Sequence, residues 1–413
     1  MKQKKTIRAL LTLSLALILC IGNLTTAFAA NPPSKEAAIT KILQMPEGTT
    51  TPAAEFTFDI AAKSVDGVAA TDPASPTNMP GIANKTIEFA ATDTGSTTDG
   101  LKSVVEEVNV FASVVWPHAG VYVYTITETA DTYDTVNGET MTYSSGQYEV
   151  TVYVANGEDG LYVDEIITTI KGKDTDEQTV GGKVVTIPGG GDDYDYSQMI
   201  FTNTYTKTNG KPDLPDPNTD GVLSISKTVA GNMGDKTKYF SYTLTITQAA
   251  TLPNTTTYMA YVLDENDAVV TDTANYAGTI VTDGNGNKFF KLNAGANTVN
   301  LKHGQRVVLT DAVVGTSYVA LEAAAANYTP TAVIVANGVS SNKGSTLNTA
   351  LSTDTQLVGE AANSAAYTNT YAVTIPTTGI SISNLPFIMM IIFAVGALAA
   401  FVVVKSRKNS CSK

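Results

Sequence analysis

Apolar and polar positions alternate in short runs along most of the chain, and clusters of glycine, asparagine, threonine and proline break the runs about every ten residues, as in antiparallel sheets. In YEVTVYV, residues 148–154, Tyr148, Val150, Val152 and Val154 share one face, and GVYVYTITE at 120–128 alternates in the same way. Helical spacing is scarce outside two apolar ends, so the predicted body is all-β. The stretch TKTNGKPDLPDPNTDG, at 206–221, holds three prolines and no apolar pair. It reads as a linker over 207–221 between one domain at 31–206 and a second at 222–374, each long enough for its own core.

The apolar ends change the picture from a soluble body to an exported one. Lys2, Lys4, Lys5 and Arg8 precede an uncharged run and then Ala27-Phe28-Ala29, which reads as a secretory signal peptide over 1–30. Leu385 to Val404 carries no charge, is long enough to cross a bilayer, and is followed by Lys405, Arg407, Lys408 and Lys413. Positive charge after the span puts that tip in the cytoplasm and the body outside. With the four basic residues at each end set aside, 18 of 26 remain against all 39 acidic residues, a formal charge of −21 for the body. Such a surface repels nucleic acid and excludes it as a partner. Cys20 falls in the signal region and Cys411 in the tip, so the exported body has no cysteine for a disulfide.

The two segments share landmarks in one order, which suggests duplication. AITKILQM answers to VLSISKTV, GVYVYTITE to GTSYVALE, and FTNTY at 201–205 to YTNTY at 367–371. Lys41 shares its face with Ile39, Leu43 and Met45, and Lys227 shares its face with Leu223, Ile225 and Val229. Asn203 lines up with Met199, Phe201 and Tyr205, and Asn369 with Tyr367 and Tyr371. Glu128 sits with Tyr122, Tyr124 and Ile126, so all these polar groups point inward; Glu322 falls with Tyr318 and Ala320, on a strand where neither face is clearly apolar.

Burial lowers a lysine's pKa until the amine is neutral and nucleophilic, and raises a glutamate's until it is a carboxylic acid. Such an acid can donate to a carbonyl oxygen and pass protons between reacting groups. An asparagine carboxamide is then the electrophile, and the product is an isopeptide bond with ammonia released. Three plainer readings stand beside this one. An inward lysine can blunt edge pairing, a buried asparagine can be a satisfied hydrogen-bonding residue, and the glutamate can simply pair with the lysine. Recurrence of the trio in both segments favours the bond.

In this order of Lys, GVYxYxITE-type Glu strand and closing F/Y-T-N strand, the chain resembles the isopeptide-linkage domains of Gram-positive backbone pilins of the T-antigen type. The resemblance implies two tandem immunoglobulin-like β-sandwiches. It also implies that Lys41 bonds Asn203 with Glu128 assisting, and that Lys227 bonds Asn369 with Glu322 assisting. IPTTG, residues Ile375, Pro376, Thr377, Thr378 and Gly379, is similar to the LPxTG signal read by sortases, with isoleucine in place of leucine. Cleavage between Thr378 and Gly379 would pass the Thr378 carboxyl through a thioester to an amine. That amine belongs either to a wall peptide or to a lysine of another copy. No YPKN-like motif is present; the resemblance implies a lysine shortly before the first closing strand, Lys183 ahead of Lys171 and Lys173.

The expected role is therefore a structural subunit of a sortase-assembled pilus, not a turnover enzyme. Its partners would be sortase, further copies of itself and peptidoglycan, with accessory pilins and host surface ligands possible. The alternative is a monomeric wall-anchored adhesin with the same stapled domains. No cofactor or metal is expected. GGG at 189–191 lacks the Lys-Ser/Thr of a phosphate loop; DGNGN at 283–287 has Lys288 and Ala294 where a calcium loop needs Gly and Glu, and reads as a hairpin turn. DDYD at 192–195 reads as a solvated loop, and His118 and His303 fall in different domains. A host ligand would rest on loops such as 251–260 or 335–350, which carry no motif.

Overall fold

A computed structural model describes residues 34–71, 79–136, 138–176, 178–184, 186–188, 195–208, 216–253, 255–276, 278–372 and 385–410. The predicted signal peptide and the IPTTG motif, Ile375 to Gly379, lie outside the described residues, as do GGG at 189–191 and most of DDYD. Two bodies of sheet account for residues 36–371, each a sandwich around its own core.

In the first sandwich one sheet runs, from edge to edge, Thr186–Pro188, Asp195–Lys207, Glu36–Pro46, Leu101–Asn109 and Ser96–Thr98, with Glu139–Thr142 also pairing to Asp195–Lys207. The facing sheet runs Gly160–Gly172, Gln147–Gly157, Gly120–Glu128, Ala54–Val65 and Val68–Ala69, with Lys85–Phe89 also on Ala54–Val65. Inward side chains alternate as the period requires. Phe56, Phe58, Tyr122, Tyr124, Ile126, Tyr148 and Phe201 fill the space between the sheets.

The second sandwich repeats the plan with a larger sheet. Its order is Ile280–Thr282, Lys288–Asn293, Thr257–Leu263, Arg306–Leu309, Leu223–Ala230, Ser364–Tyr371, Tyr328–Ala336 and Val339–Gly344, with Val269–Val270 on Thr257–Leu263. The facing sheet is Gly295–Leu301, Phe240–Thr247, Ser317–Glu322 and Leu351–Ser352, with Gln356–Leu357 also on Ser317–Glu322. DGNGN is the turn between the first two strands of the larger sheet, closed by Asp283 N–H to the Asn287 carbonyl at 2.8 Å. Neither stretch marked as a ligand loop is only a loop. Residues 257–263 form a central strand whose last four side chains are buried, and 339–344 form an edge strand turned by Asn337-Gly338, both at positive φ.

In each sandwich the first and last strands are neighbours and run parallel, so a crossover as long as the domain itself joins them. The two sandwiches also touch. Val314 N–H donates to the Lys207 carbonyl at 2.8 Å, Thr50 N–H to Glu360 at 2.8 Å, and Lys207 Nζ lies 3.5 Å from Glu360. Gly315, at φ 88°, lets Pro46 approach so closely that a Cβ there would lie 2.3 Å from the Pro46 Cβ. By itself, Leu385–Ser410 is a helix whose segment Pro386–Ser406 is long and apolar enough to cross a membrane.

Candidate cross-linking site

Each trio is assembled from three strands. The lysine and asparagine come from the parallel terminal strands of one sheet, and the glutamate comes from the facing sheet. Lys41 stands opposite Phe201 and Asn203 opposite Leu43; Lys227 stands opposite Tyr367 and Asn369 opposite Val229. Amine and amide are therefore offset by the same two residues in both sandwiches, on the same face. Diagonal neighbours of this kind are about 7–8 Å apart at the backbone, a gap that a lysine's long stem can span.

At the first site Lys41 Nζ is 2.7 Å from Glu128 Oε1, and Asn203 Nδ2 donates to that same oxygen at 2.7 Å. At the second, Lys227 Nζ donates to Glu322 Oε1, Asn369 Nδ2 donates to it at 2.9 Å, and Tyr242 OH approaches at 3.4 Å. The ion-pair side chains are 0–1% exposed at both sites. Aromatic rings supply much of that cover: Phe56 lies 4.6 Å from Lys41 Nζ and Phe240 4.1 Å from Lys227 Nζ. The sequence left the facing of Glu322 open. Its strand turns Tyr318, Ala320 and Glu322 inward and leaves Leu321 40% exposed, so an apolar outer face had obscured the alternation.

Loss of water dominates the electrostatics. Burial pulls Lys41 and Lys227 each down to about 8, against the attraction of Glu128 and Glu322. Burial raises both glutamates against the opposing lysines and asparagine donors. The second oxygen of each carboxyl, Glu128 Oε2 and Glu322 Oε2, is buried without a hydrogen-bond partner, which further favours the protonated acid. At both sites burial thus narrows the gap in proton affinity between amine and carboxyl, which eases transfer of a proton from one to the other.

The amide is turned differently from the expectation of an acid donating to its carbonyl oxygen. Glutamate Oε1 meets the amide nitrogen at both sites. At the first, Asn203 Oδ1 accepts the backbone N–H of Ser144 at 2.7 Å. That N–H can only donate, so the oxygen and nitrogen of the amide are assigned by chemistry. Sequence reasoning passed over Ser144, Tyr242 and Asp174, whose Oδ1 accepts from Ser144 Oγ, because YSSG at 143–146 reads as an ordinary turn and the others as ordinary strand or loop residues.

Of the three lysines expected as acceptors, none lies at either trio. Lys183 is exposed on a segment tied to the strand Gly160–Gly172: it bridges Thr169, and Val184 N–H donates to the Thr168 carbonyl at 3.1 Å. Lys171 is paired with Glu149 at 3.0 Å, and Lys173 is exposed. His118 shares a hydrogen bond with the Ala119 carbonyl, and His303 accepts from Val229 N–H, so each is occupied by backbone.

Residues 37–206 match the FctA family model, a Spy0128-like isopeptide containing domain, and residues 221–371 match DUF7601, a domain of unknown function. No curated protein matches the chain. Among solved structures, the major pilin from Streptococcus pyogenes aligns at 19% identity over 83% of this chain and 100% of its own, with a TM-score of 0.32. The major pilin T3.2 from Streptococcus pyogenes aligns at 21% over 83% and 100%, at 0.30. The pilus-presented adhesin Cpa aligns at 17% over 55% of this chain and 36% of its own, at 0.24. Residues 37–206 are thus a Spy0128-like isopeptide-containing domain.

Proposed function

We propose that this chain is the structural subunit of a sortase-assembled pilus whose two sandwiches are each closed by an isopeptide bond, Lys41 to Asn203 and Lys227 to Asn369. The observation that carries the proposal is the recurrence of a buried Lys–Glu–Asn trio at one register in both sandwiches. From the ion pair, a proton moves from Nζ to the carboxylate. The free amine attacks the amide carbon, and the glutamate then gives a proton to Nδ2 and takes one from Nζ. Ammonia leaves, one amide replaces another, and the glutamate ends protonated. Placement in contact supplies a large part of the rate, since intramolecular reaction can lower a barrier by roughly 7–11 kcal/mol.

Export, a cut between Thr378 and Gly379, and transfer of Thr378 to a lysine of the next copy complete the assembly. Lys183 suits the acceptor role, because its side chain is exposed on backbone held to a strand, whereas Lys171 is engaged by Glu149. Intact mass and peptide mapping of residues 31–374 test the bonds: a mass lower by two ammonia molecules with those two links is expected, and the unmodified mass would refute them. A ladder of covalent multimers on cells, lost in Lys183→Arg, is expected for the polymer. A single band after wall digestion would instead support the wall-anchored monomer.

A further inference from the structure

The two trios differ in one respect. Asn369 Oδ1 is buried without a hydrogen-bond partner, whereas Asn203 Oδ1 receives the Ser144 N–H at 2.7 Å. The turn that carries this donor is held from several sides. Ser144 Oγ donates to Asp174 Oδ1, which also accepts Thr202 N–H at 2.8 Å, next to Asn203 itself. Gly146 N–H donates to Ser144 Oγ at 3.0 Å, and Ser145 Oγ donates to the Lys173 carbonyl at 2.6 Å. Close approach is possible because Gly172 faces the turn: a Cβ there would lie 2.8 Å from the Ser145 carbonyl oxygen. Asp174 N–H in turn donates to Gln178 Oε1 at 2.7 Å, and Gln178 Nε2 donates to Tyr148 OH at 3.1 Å.

We propose that the Ser144 backbone N–H is a one-donor oxyanion hole for the Lys41–Asn203 reaction, with Asp174 as the positioning residue that fixes it. The inference rests on the cross-linking reading above. When Nζ attacks the Asn203 amide carbon, the π electrons of the carbonyl move onto Oδ1, the atom that the N–H already faces. A donor fixed before the charge develops needs no reorganisation, and removal of one such donor costs roughly 100- to 1,000-fold in rate. The division of labour follows: Glu128 Oε1, touching both nitrogens, moves protons, while Ser144 N–H stabilises the oxygen. The second site has only the first of these devices. With nothing holding Asn369 Oδ1, its amide is free to turn that oxygen toward Glu322.

The test uses the full-length chain, refolded from denaturant, with each cross-link timed by peptide mapping. An amide-to-ester replacement at residue 144 exchanges the N–H for oxygen and keeps the shape of the turn. Formation of Lys41–Asn203 is expected to slow by roughly 100-fold or more, with Lys227–Asn369 in the same molecules unaffected. Ser144→Ala keeps the N–H but frees it from Asp174, and a smaller slowing is expected. Since the N–H does not titrate, the ester should lower the rate equally at every pH. An unchanged first-site rate would overturn the proposal, and so would a displaced pH profile, which would mean that the Lys41–Glu128 pair had been disturbed. If neither bond forms in the unmodified chain, the cross-linking reading itself has failed.

Discussion

Asn369→Ala removes the electrophile of the second trio and leaves Lys227 paired with Glu322, so it separates the covalent link from the ion pair. A bond from residue 227 to residue 369 closes a loop of about 140 residues, for which the chain-entropy model gives about 5 kcal/mol of stabilisation. For a body of this size that corresponds to a fall in Tm of about 10–20 °C, at roughly 2–4 °C per kcal/mol. The mechanical effect is larger still. Because the terminal strands are parallel neighbours, tension entering through residues 223–227 can leave through 369–371, and the proposed bond would keep residues 228–368 out of the path. Without the bond those residues pay out roughly 500 Å, at about 3.5 Å each. Single-molecule pulling should show no such step for this sandwich in the parent protein and a step of that size in Asn369→Ala. Equal step lengths together with equal melting temperatures would refute the reasoning.

Burial lowers Lys41 and raises Glu128, so the pH range in which the pair holds one proton between its two sites is narrowed from both ends. Bond formation during refolding should therefore rise from acid pH as the pair sheds its second proton, and fall again above about 8 as the last one leaves; a rate still climbing well above that pH would contradict the assignment. Glu322→Gln should abolish the second bond, seen as one ammonia retained by mass, and should melt below Asn369→Ala, because stranding a buried charge costs about 3–5 kcal/mol. Gly315→Ala should cost about 1 kcal/mol or more, since an added Cβ meets Pro46 at a positive φ; thermal melting measures the loss and small-angle scattering the loosened junction.

The sequence by itself determined which way the side chains point. A strand's two-residue period is covalent geometry, so the inward facing of Lys41, Asn203, Glu128, Lys227 and Asn369 could be read from neighbours within a few residues. It also determined the domain class, because turn residues and alternation are equally local. Glu322 escaped this reading for a local reason: Val319 and Leu321 make its outer face apolar too. Only the tertiary structure decided that first and last strands lie side by side, that the offset is two residues in both sandwiches, and that each glutamate comes from the facing sheet. Register between strands depends on contacts between residues far apart in the chain, which no short pattern encodes. The same holds for Ser144 and Asp174. Their value lies in where a backbone N–H ends up relative to an amide 59 residues away, a relation that exists only once both strands have packed.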